Sequence, residues 1–556
     1  MTERIPGRTA RAVGGFLRRD LWKWVAAYIL LLGLMALLGR WTPEFLTGRT
    51  LWHFLVSRMV VAFVMLGVLA SFIRLVPAAL LLSSMLLIVG TISAIKRAST
   101  GEPFQISDLF LTGQTPALLG YVAWYHWLAA LSIVPALYLA ARNLRLRLWS
   151  LPLALFCAGL LSTYRIEAVV DWIHDNSYWI GVENLTFNQA ESERMNGLAT
   201  HLYFSTAGLR VKSYSDAEVE AAMSVLAMKD VPAARQTPAP DIFVVLGEAW
   251  WRDPTDPQSP LDTLTAKGFA EGKMVSPVYG GTTPNAEFEV LTAIPARSFM
   301  SGIIPFQHYV RYFSDQAKSM PRLLSTIGYT AHAYHNFDRR FWLRDQVYPR
   351  FNFATFDSMD SMKLEKQGNG WPKDDGLYAK VMERLDAEAS QFHFIVTVQT
   401  HGPFAGDKVR DMIDGKEHPG IADYHDRLAG AVASFAAFRD TLDRRGKPYV
   451  LFVFGDHLPG LRLHQWKMGW TSEQDPRLHE VPFLVASNSE DAAALRDRLD
   501  TRPLFCTAPV MLDWLRLGLD DRYLRHMAQI CDKGKALGYV PPEPVIQNQI
   551  FNAAAP

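Results

Sequence analysis

Hydrophobic and polar positions change their rhythm once along this chain. Up to about residue 170 the apolar residues form long runs, and from about residue 240 they form runs of five or six separated by polar stretches with helical spacing. The long runs lie near Leu21–Leu38, Leu51–Ile73, Pro77–Ile95, Ala117–Ala141 and Leu148–Val169. Each is long enough, or nearly so, for the roughly 20 helical residues that cross a bilayer core. The short runs Ile242–Leu246, Tyr329–Tyr334, Phe394–Val398 and Tyr449–Phe454 predict strands, and segments such as Leu377–Ala387 and Tyr424–Leu442 predict helices between them. That alternation is the pattern of an α/β sheet. The expected fold is an N-terminal five-helix transmembrane domain followed by an extracytoplasmic α/β domain, with a mostly parallel central sheet flanked by helices.

Composition agrees with a chain partly in lipid, since 49% of its 556 residues are hydrophobic. A formal charge of +1 argues against a nucleic-acid surface. Arginine sets the orientation. Arg4, Arg8, Arg11, Arg18 and Arg19 precede the first run, and Arg142, Arg145 and Arg147 separate the fourth from the fifth. By the positive-inside rule the N-terminus is cytoplasmic, and an odd number of spans exports the remainder of the chain. The first run resembles a signal peptide in position, but four similar runs come after it and no small-residue cleavage site is evident. The expected division is a basic cytoplasmic segment over 1–20, five spans over 21–170, an interfacial linker over 171–238, a catalytic domain over 239–520 and a C-terminal extension over 521–556. The tail after Val540 reads as irregular. Cys506 and Cys531 are open to two readings, a single bridge in an oxidising compartment or two buried free thiols.

Chemistry collects just past the strands. Glu248 follows the first run, His335 the second, His401 the third, and Asp456-His457 the fourth. Ligands of open α/β sheets bind beyond the carboxyl ends of parallel strands, so these residues can converge. In the turn Tyr279-Gly280-Gly281-Thr282-Thr283-Pro284, the proline predicts a helix start with Thr283 as its N-cap. Taken alone, Thr283 is an ordinary cap. Taken with its neighbours it reads as a candidate nucleophile, because a helix N-terminus attracts phosphate. A threonine hydroxyl needs a metal or base to attack. Glu248, Asp456, His457 and the Thr283 oxygen form a mixed oxygen and nitrogen set suited to Mn²⁺, with Mg²⁺ or Zn²⁺ as alternatives. The segment His335 to Asp345, with Trp342 and Arg344, mixes rings and guanidinium groups fit for an anionic polyol.

These patterns together, GE after the first strand, GGTTPNAEFEVLT, HNFDRRFWLRDQVY, TVQTHGPF and FVFGDH, resemble the lipoteichoic acid synthases and periplasmic-glucan phosphoglycerol transferases of the alkaline phosphatase and sulfatase superfamily. The resemblance covers nearly the whole chain, including Gly101-Glu102-Pro103-Phe104 and Ser107-Asp108-Leu109 between the third and fourth runs. It implies a sulfatase-like catalytic domain, Thr283 as nucleophile, and a divalent ion, most often Mn²⁺, on Glu248, Thr283, Asp456 and His457. It places His335, Trp342, Arg344 and His401 around a phosphoglycerol group. It implies a phosphatidylglycerol donor in the cell (inner) membrane, a glycerophospho-threonine intermediate and an acceptor hydroxyl on an extracytoplasmic glycan. With Glu289 as a second acid, AEFEVLT is nearer the glucan-modifying branch, which makes a periplasmic glucan the expected acceptor. No cysteine lies near Thr283, so formylglycine-dependent sulfate hydrolysis is not expected. Two readings from the same fold stay open, a phosphoethanolamine transferase and a lipoteichoic-acid-type polyglycerolphosphate synthase; a metal-free glycan-binding module is the reading from a different class.

Overall fold

The computed structural model describes residues 61–100, 103–110, 126–145, 189–205, 213–227, 239–299, 303–368, 370–386, 389–461 and 475–551, with shorter pieces elsewhere. The chain forms two compact units, one from residues 1–110, 121–210 and 300–302, the other from 111–120, 211–299 and 303–556.

In the first unit the helix Leu75–Thr100 contains a 23-residue stretch, Leu75–Arg97, that is long and apolar enough to cross a membrane, the one such helix among the described residues. At 1.5 Å per residue it reaches ~35 Å, against a hydrocarbon core of ~30 Å. Val76, Leu80, Met85 and Ile92 are exposed along it. Ala78, Leu82 and Leu86 instead pack in one cluster with Ala62 and Leu66 of the helix Val61–Phe72 and with Ala136 and Ala140 of the helix Ile133–Arg142. Of the five expected spans, Leu148–Val169 lies outside the described residues, and Leu21–Leu38, Leu51–Ile73 and Ala117–Ala141 are described in part. The polar end of the long helix is tied down by Lys96 to Asp108 at 2.8 Å and by Arg97 to Glu193.

The second unit is built on an eight-stranded sheet. Its strands are β1 (Asp241–Gly247), β2 (Ala270–Val275), β3 (Thr330–His335), β4 (Thr355–Ser358), β5 (Gln391–Val396), β8 (Tyr449–Gly455), β9 (Glu480–Ser487) and β10 (Arg502–Pro503), in the order β10-β2-β9-β8-β1-β5-β3-β4. A separate hairpin pairs β6 (Met412–Ile413) with β7 (Lys416–Glu417). β1, β5 and β8 are buried at every position, so they take the centre, where both faces are covered. β1 runs parallel to β5 and β8, and β9 alone runs antiparallel to its neighbours. The register matters most at one place: Gly247 pairs with Gly455, so the next residues of the two strands, Glu248 and Asp456, emerge side by side.

Several expectations shift. β5 begins at Gln391, ahead of the apolar run Phe394–Val398, because polar residues at its start find buried partners. The Gln391 amide donates to Asp241 at 3.0 Å, and the His393 ring meets the Tyr334 hydroxyl at 3.2 Å. The tail past Val540 is not irregular throughout. Glu543–Ile550 is a helix with proline in its first turn, and it buries Val545, Ile546 and Ile550. Cys506 and Cys531 form a disulfide, with Cα atoms 5.8 Å apart.

Candidate active site

The Trp250 turn that follows β1 passes so closely over the ends of β1 and β8 that side chains are excluded there. A Cβ on Gly455 would lie 2.3 Å from the Trp250 carbonyl oxygen, and one on Gly247 would lie 2.6 Å from the Trp250 ring. Both glycines therefore permit the turn that brings Glu248 over Asp456. The neighbouring end of β5 fixes the turn further. Thr397 Oγ1 accepts from the Glu248 amide at 3.0 Å and donates to the Leu246 carbonyl at 3.1 Å, while the Thr400 hydroxyl donates to the Glu248 carbonyl.

Glu248, Asp456 and His457 are buried, and one ligand atom from each lies within 4.8 Å of the others. Asp456 Oδ1 accepts from the amides of Ala249 and His457 at 2.8 and 2.9 Å. Its Oδ2 is buried with no hydrogen-bond partner among the described residues. His457 Nδ1 donates to the Leu458 carbonyl at 2.9 Å, which leaves Nε2 with its lone pair. That lone pair faces Asp456 Oδ2 at 3.3 Å and Glu248 Oε1 at 3.5 Å. Burial, and then the Asp456 charge, push the Glu248 carboxyl well above its usual range. Three electron-pair donors converge on one point, a set that could hold a divalent metal with oxygen and nitrogen ligands.

Thr283 is the first residue of the helix Thr283–Thr292, not its cap. The capping position belongs to Thr282, at φ +63°, whose side chain makes no cap hydrogen bond. The Thr283 hydroxyl lies 3.5 Å from Glu248 Oε2, so it points at the carboxylate cluster. The expected nucleophile and the three expected metal ligands are thus brought together.

The four residues expected around a phosphoglycerol group divide. His335 ends β3, and its Nδ1 donates to the Val396 carbonyl at 3.1 Å while its Nε2 accepts from Arg344 at 3.2 Å. Arg344 is fully engaged and only 1% exposed. Its Nε lies 3.0 Å from Glu287 Oε1, a second nitrogen pairs with the same carboxylate, and Tyr348 donates to Glu287 Oε2 at 2.6 Å. Trp342 is buried beside Phe341 in a left-handed conformation at φ +61°, a strained position for a large side chain. His401 packs against Trp371, with ring centroids 4.3 Å apart, and donates from Nδ1 to the Gly402 carbonyl. Burial lowers His401 to about 4, and burial with the Arg344 charge holds His335 well below its usual value. Both rings are neutral at neutral pH.

Glu287 and Tyr348 receive no role in the sequence reading. Glu287 had a signal: it is four residues past Thr283 on the same helix, hence on the same face. Tyr348 had none, because its contact depends on how two distant segments meet.

Residues 240–514 match the sulfatase family model. Over 463 residues the chain is 27% identical to a protein of Rhizobium meliloti (strain 1021) named for cyclic beta-1,2-glucan modification, spanning 76% of this chain and 71% of that protein. Among solved structures, the phosphoglycerol transferase GacH of Streptococcus pyogenes, in complex with sn-glycerol-1-phosphate, aligns with a TM-score of 0.45 at 18% identity, covering 60% of this chain and 88% of that one. The lipooligosaccharide phosphoethanolamine transferase A of Neisseria meningitidis aligns with a TM-score of 0.48 at 13% identity, covering 86% of this chain and 92% of that one.

Proposed function

We propose that this chain, which carries a sulfatase-family domain over residues 240–514, is a membrane-bound phosphoglycerol transferase. It takes glycerol phosphate from phosphatidylglycerol and passes it to a hydroxyl of an extracytoplasmic glycan, a periplasmic glucan in the first instance. The observation that carries this reading is the Thr283 hydroxyl, 3.5 Å from Glu248 and aimed at the Glu248, Asp456 and His457 cluster.

Glu248, Asp456, His457 and the Thr283 oxygen would hold a divalent ion, Mn²⁺ first, with Mg²⁺ or Zn²⁺ as alternatives. When bound, such an ion lowers the pKa of a hydroxyl and offsets charge on phosphoryl oxygens. The chain's own residues do the rest. Thr283 Oγ1 forms a bond to phosphorus as the bond from phosphorus to the diacylglycerol oxygen breaks. His401 is neutral, with Nδ1 engaged, and so presents Nε2 to carry the hydroxyl proton to the departing oxygen. In the second step a glycan hydroxyl displaces Thr283, and the same histidine carries a proton back. Arg344 acts by holding His335 at 3.2 Å, with its own charge balanced by Glu287.

The glucan acceptor is supported by the 27% identical relative named for cyclic glucan modification. Location outside the cytoplasm is supported by the arginine distribution and by the Cys506–Cys531 disulfide, since such bonds persist in oxidising compartments. A multi-pass inner-membrane anchor of five spans extends the one long apolar helix found among the described residues, Leu75–Arg97, to the other apolar runs. The full-length protein with Mn²⁺ and phosphatidylglycerol vesicles is expected to release diacylglycerol, and Thr283→Ala to release none. Release of diacylglycerol from phosphatidylethanolamine instead would assign the phosphoethanolamine reaction, and equal release by Thr283→Ala would refute the mechanism.

A further inference from the structure

Between the two histidine loops lies a carboxylate with no charge to balance it. Asp374 opens the helix Asp374–Glu383 and is completely buried. Its Oδ1 accepts from the Asn336 side-chain amide at 2.8 Å and from the Gln399 amide at 3.3 Å. Its own amide donates to the Gln399 side chain at 2.9 Å. Asn336 directly follows His335, and Gln399 stands two residues before His401. Three residues ahead of Asp374, Trp371 donates from its indole to the Gly402 carbonyl at 3.2 Å and lays its ring on His401. The segment 371–374 therefore clasps both loops.

Two oxygens of this clasp have no hydrogen-bond partner among the described residues, Asp374 Oδ2 and Asn336 Oδ1, and both are buried. They belong to two planar groups already joined at 2.8 Å through the other atom of each. A carboxylate and an amide so joined can close a second bond only when the carboxyl carries a proton; Oδ2–H then donates to the amide oxygen and neither acceptor is left unpaired. An unpaired buried acceptor is costly, so the protonated pair is favoured.

We propose that Asp374 works as a carboxylic acid, donating from Oδ2 to the Asn336 carbonyl, and that this acid and amide pair is the positioning element holding His335 and His401 in register. Burial raises the Asp374 carboxyl to about 7, and the neighbouring Asp375 charge adds to the rise. Tyr378, one turn along the same helix, also senses the Asp374 charge. Asn336, Val398 and Gln399, which face it from the other two segments, are neutral. Ionisation breaks the Oδ2 bond and loosens the clasp, so transfer declines on the alkaline side. Asp374 touches no substrate; it acts through the two histidines.

The proposal rests on the transferase reading only for its activity readout, so two measurements are paired on the full-length protein. The first is an infrared difference spectrum between pH 6 and pH 8.5, expected to show loss of a protonated-carboxyl carbonyl stretch that is missing in Asp374→Asn. The second is the pH profile of diacylglycerol release from phosphatidylglycerol vesicles with Mn²⁺. Wild type should fall, approaching ~10-fold per pH unit well above the Asp374 pKa. Asp374→Asn, whose amide can donate to Asn336 permanently, should lose that limb, while Asp374→Ala should be slow at every pH. An unchanged alkaline limb in Asp374→Asn, or a carboxyl band that survives the substitution, overturns the proposal. If no phosphatidylglycerol turnover occurs at all, the function reading fails while the infrared comparison still decides the protonation of Asp374.

Discussion

His457 Nε2 lies 3.5 Å from Glu248 Oε1, with the other ring nitrogen committed to the Leu458 carbonyl at 2.9 Å. An imidazole lone pair facing two buried carboxylates is repulsive unless a proton or a metal ion joins them, and a divalent ion can join all three at once. Mn²⁺ is therefore expected to stabilise the fold measurably. At 100 times its dissociation constant the gain is ~2.7 kcal/mol, read as a raised unfolding midpoint that chelator removes. Asp456→Asn should abolish most of the gain; a midpoint that ignores Mn²⁺ in the wild type would contradict the donor set.

The Arg344 and Glu287 pair makes a different prediction. Side-chain exposure is 1% for the arginine and 0% for the glutamate, so Glu287→Ala leaves a guanidinium buried without its counter-charge. The expected loss of stability is ~3–5 kcal/mol. Replacing both residues with apolar ones of similar volume should restore part of it in a denaturation series on the full-length protein. Equal losses in the single and double variants would mean the pair does not act as a unit.

Gly455 tests the close passage of the Trp250 turn over the end of β8. Alanine there would place Cβ 2.3 Å from the Trp250 carbonyl, a backbone atom that cannot move aside cheaply. Gly455→Ala should cost ~3 kcal/mol or more and weaken Mn²⁺ binding together with stability. A variant as stable as wild type would show that the turn at Trp250 yields.

Histidine burial gives the acid side of the stability curve. His464 is completely buried, next to Tyr279 at 2.9 Å, and burial lowers it to about 4. The unfolded chain takes up that proton below ~6.5. The stabilising contribution is thus complete above that pH and is lost as pH falls through about 4. It amounts to ~3 kcal/mol. His464→Gln should flatten the dependence of the unfolding midpoint between pH 6.5 and 4, and an unchanged slope would remove His464 as its cause.

The central strands were legible because β1 and β8 are unbroken apolar runs that end in glycine and acid, and no other element offers that pattern. Their register could not be read, yet it is the pairing of Gly247 with Gly455 that brings Glu248 to Asp456. β2 left no trace in the sequence, since only Met274 in it is buried, Lys273 is exposed, and its other positions, glutamate and glycine among them, are half-buried. Thr283 was legible as a helix start but one residue off as a cap, because a left-handed Thr282 takes the capping position. Arg344 read as an anion holder from its surroundings in the chain. Its engagement by Glu287 depends on two segments 57 residues apart meeting in space, which hydrophobic pattern does not encode.

The most direct measurement is mass spectrometry of the full-length protein after incubation with phosphatidylglycerol and Mn²⁺ without acceptor. A glycerophosphate adduct on the peptide bearing Thr283, removed when a glucan is added, is the predicted result. An unmodified Thr283 peptide under conditions where diacylglycerol is released, or an adduct on another residue, would contradict Thr283 as the nucleophile.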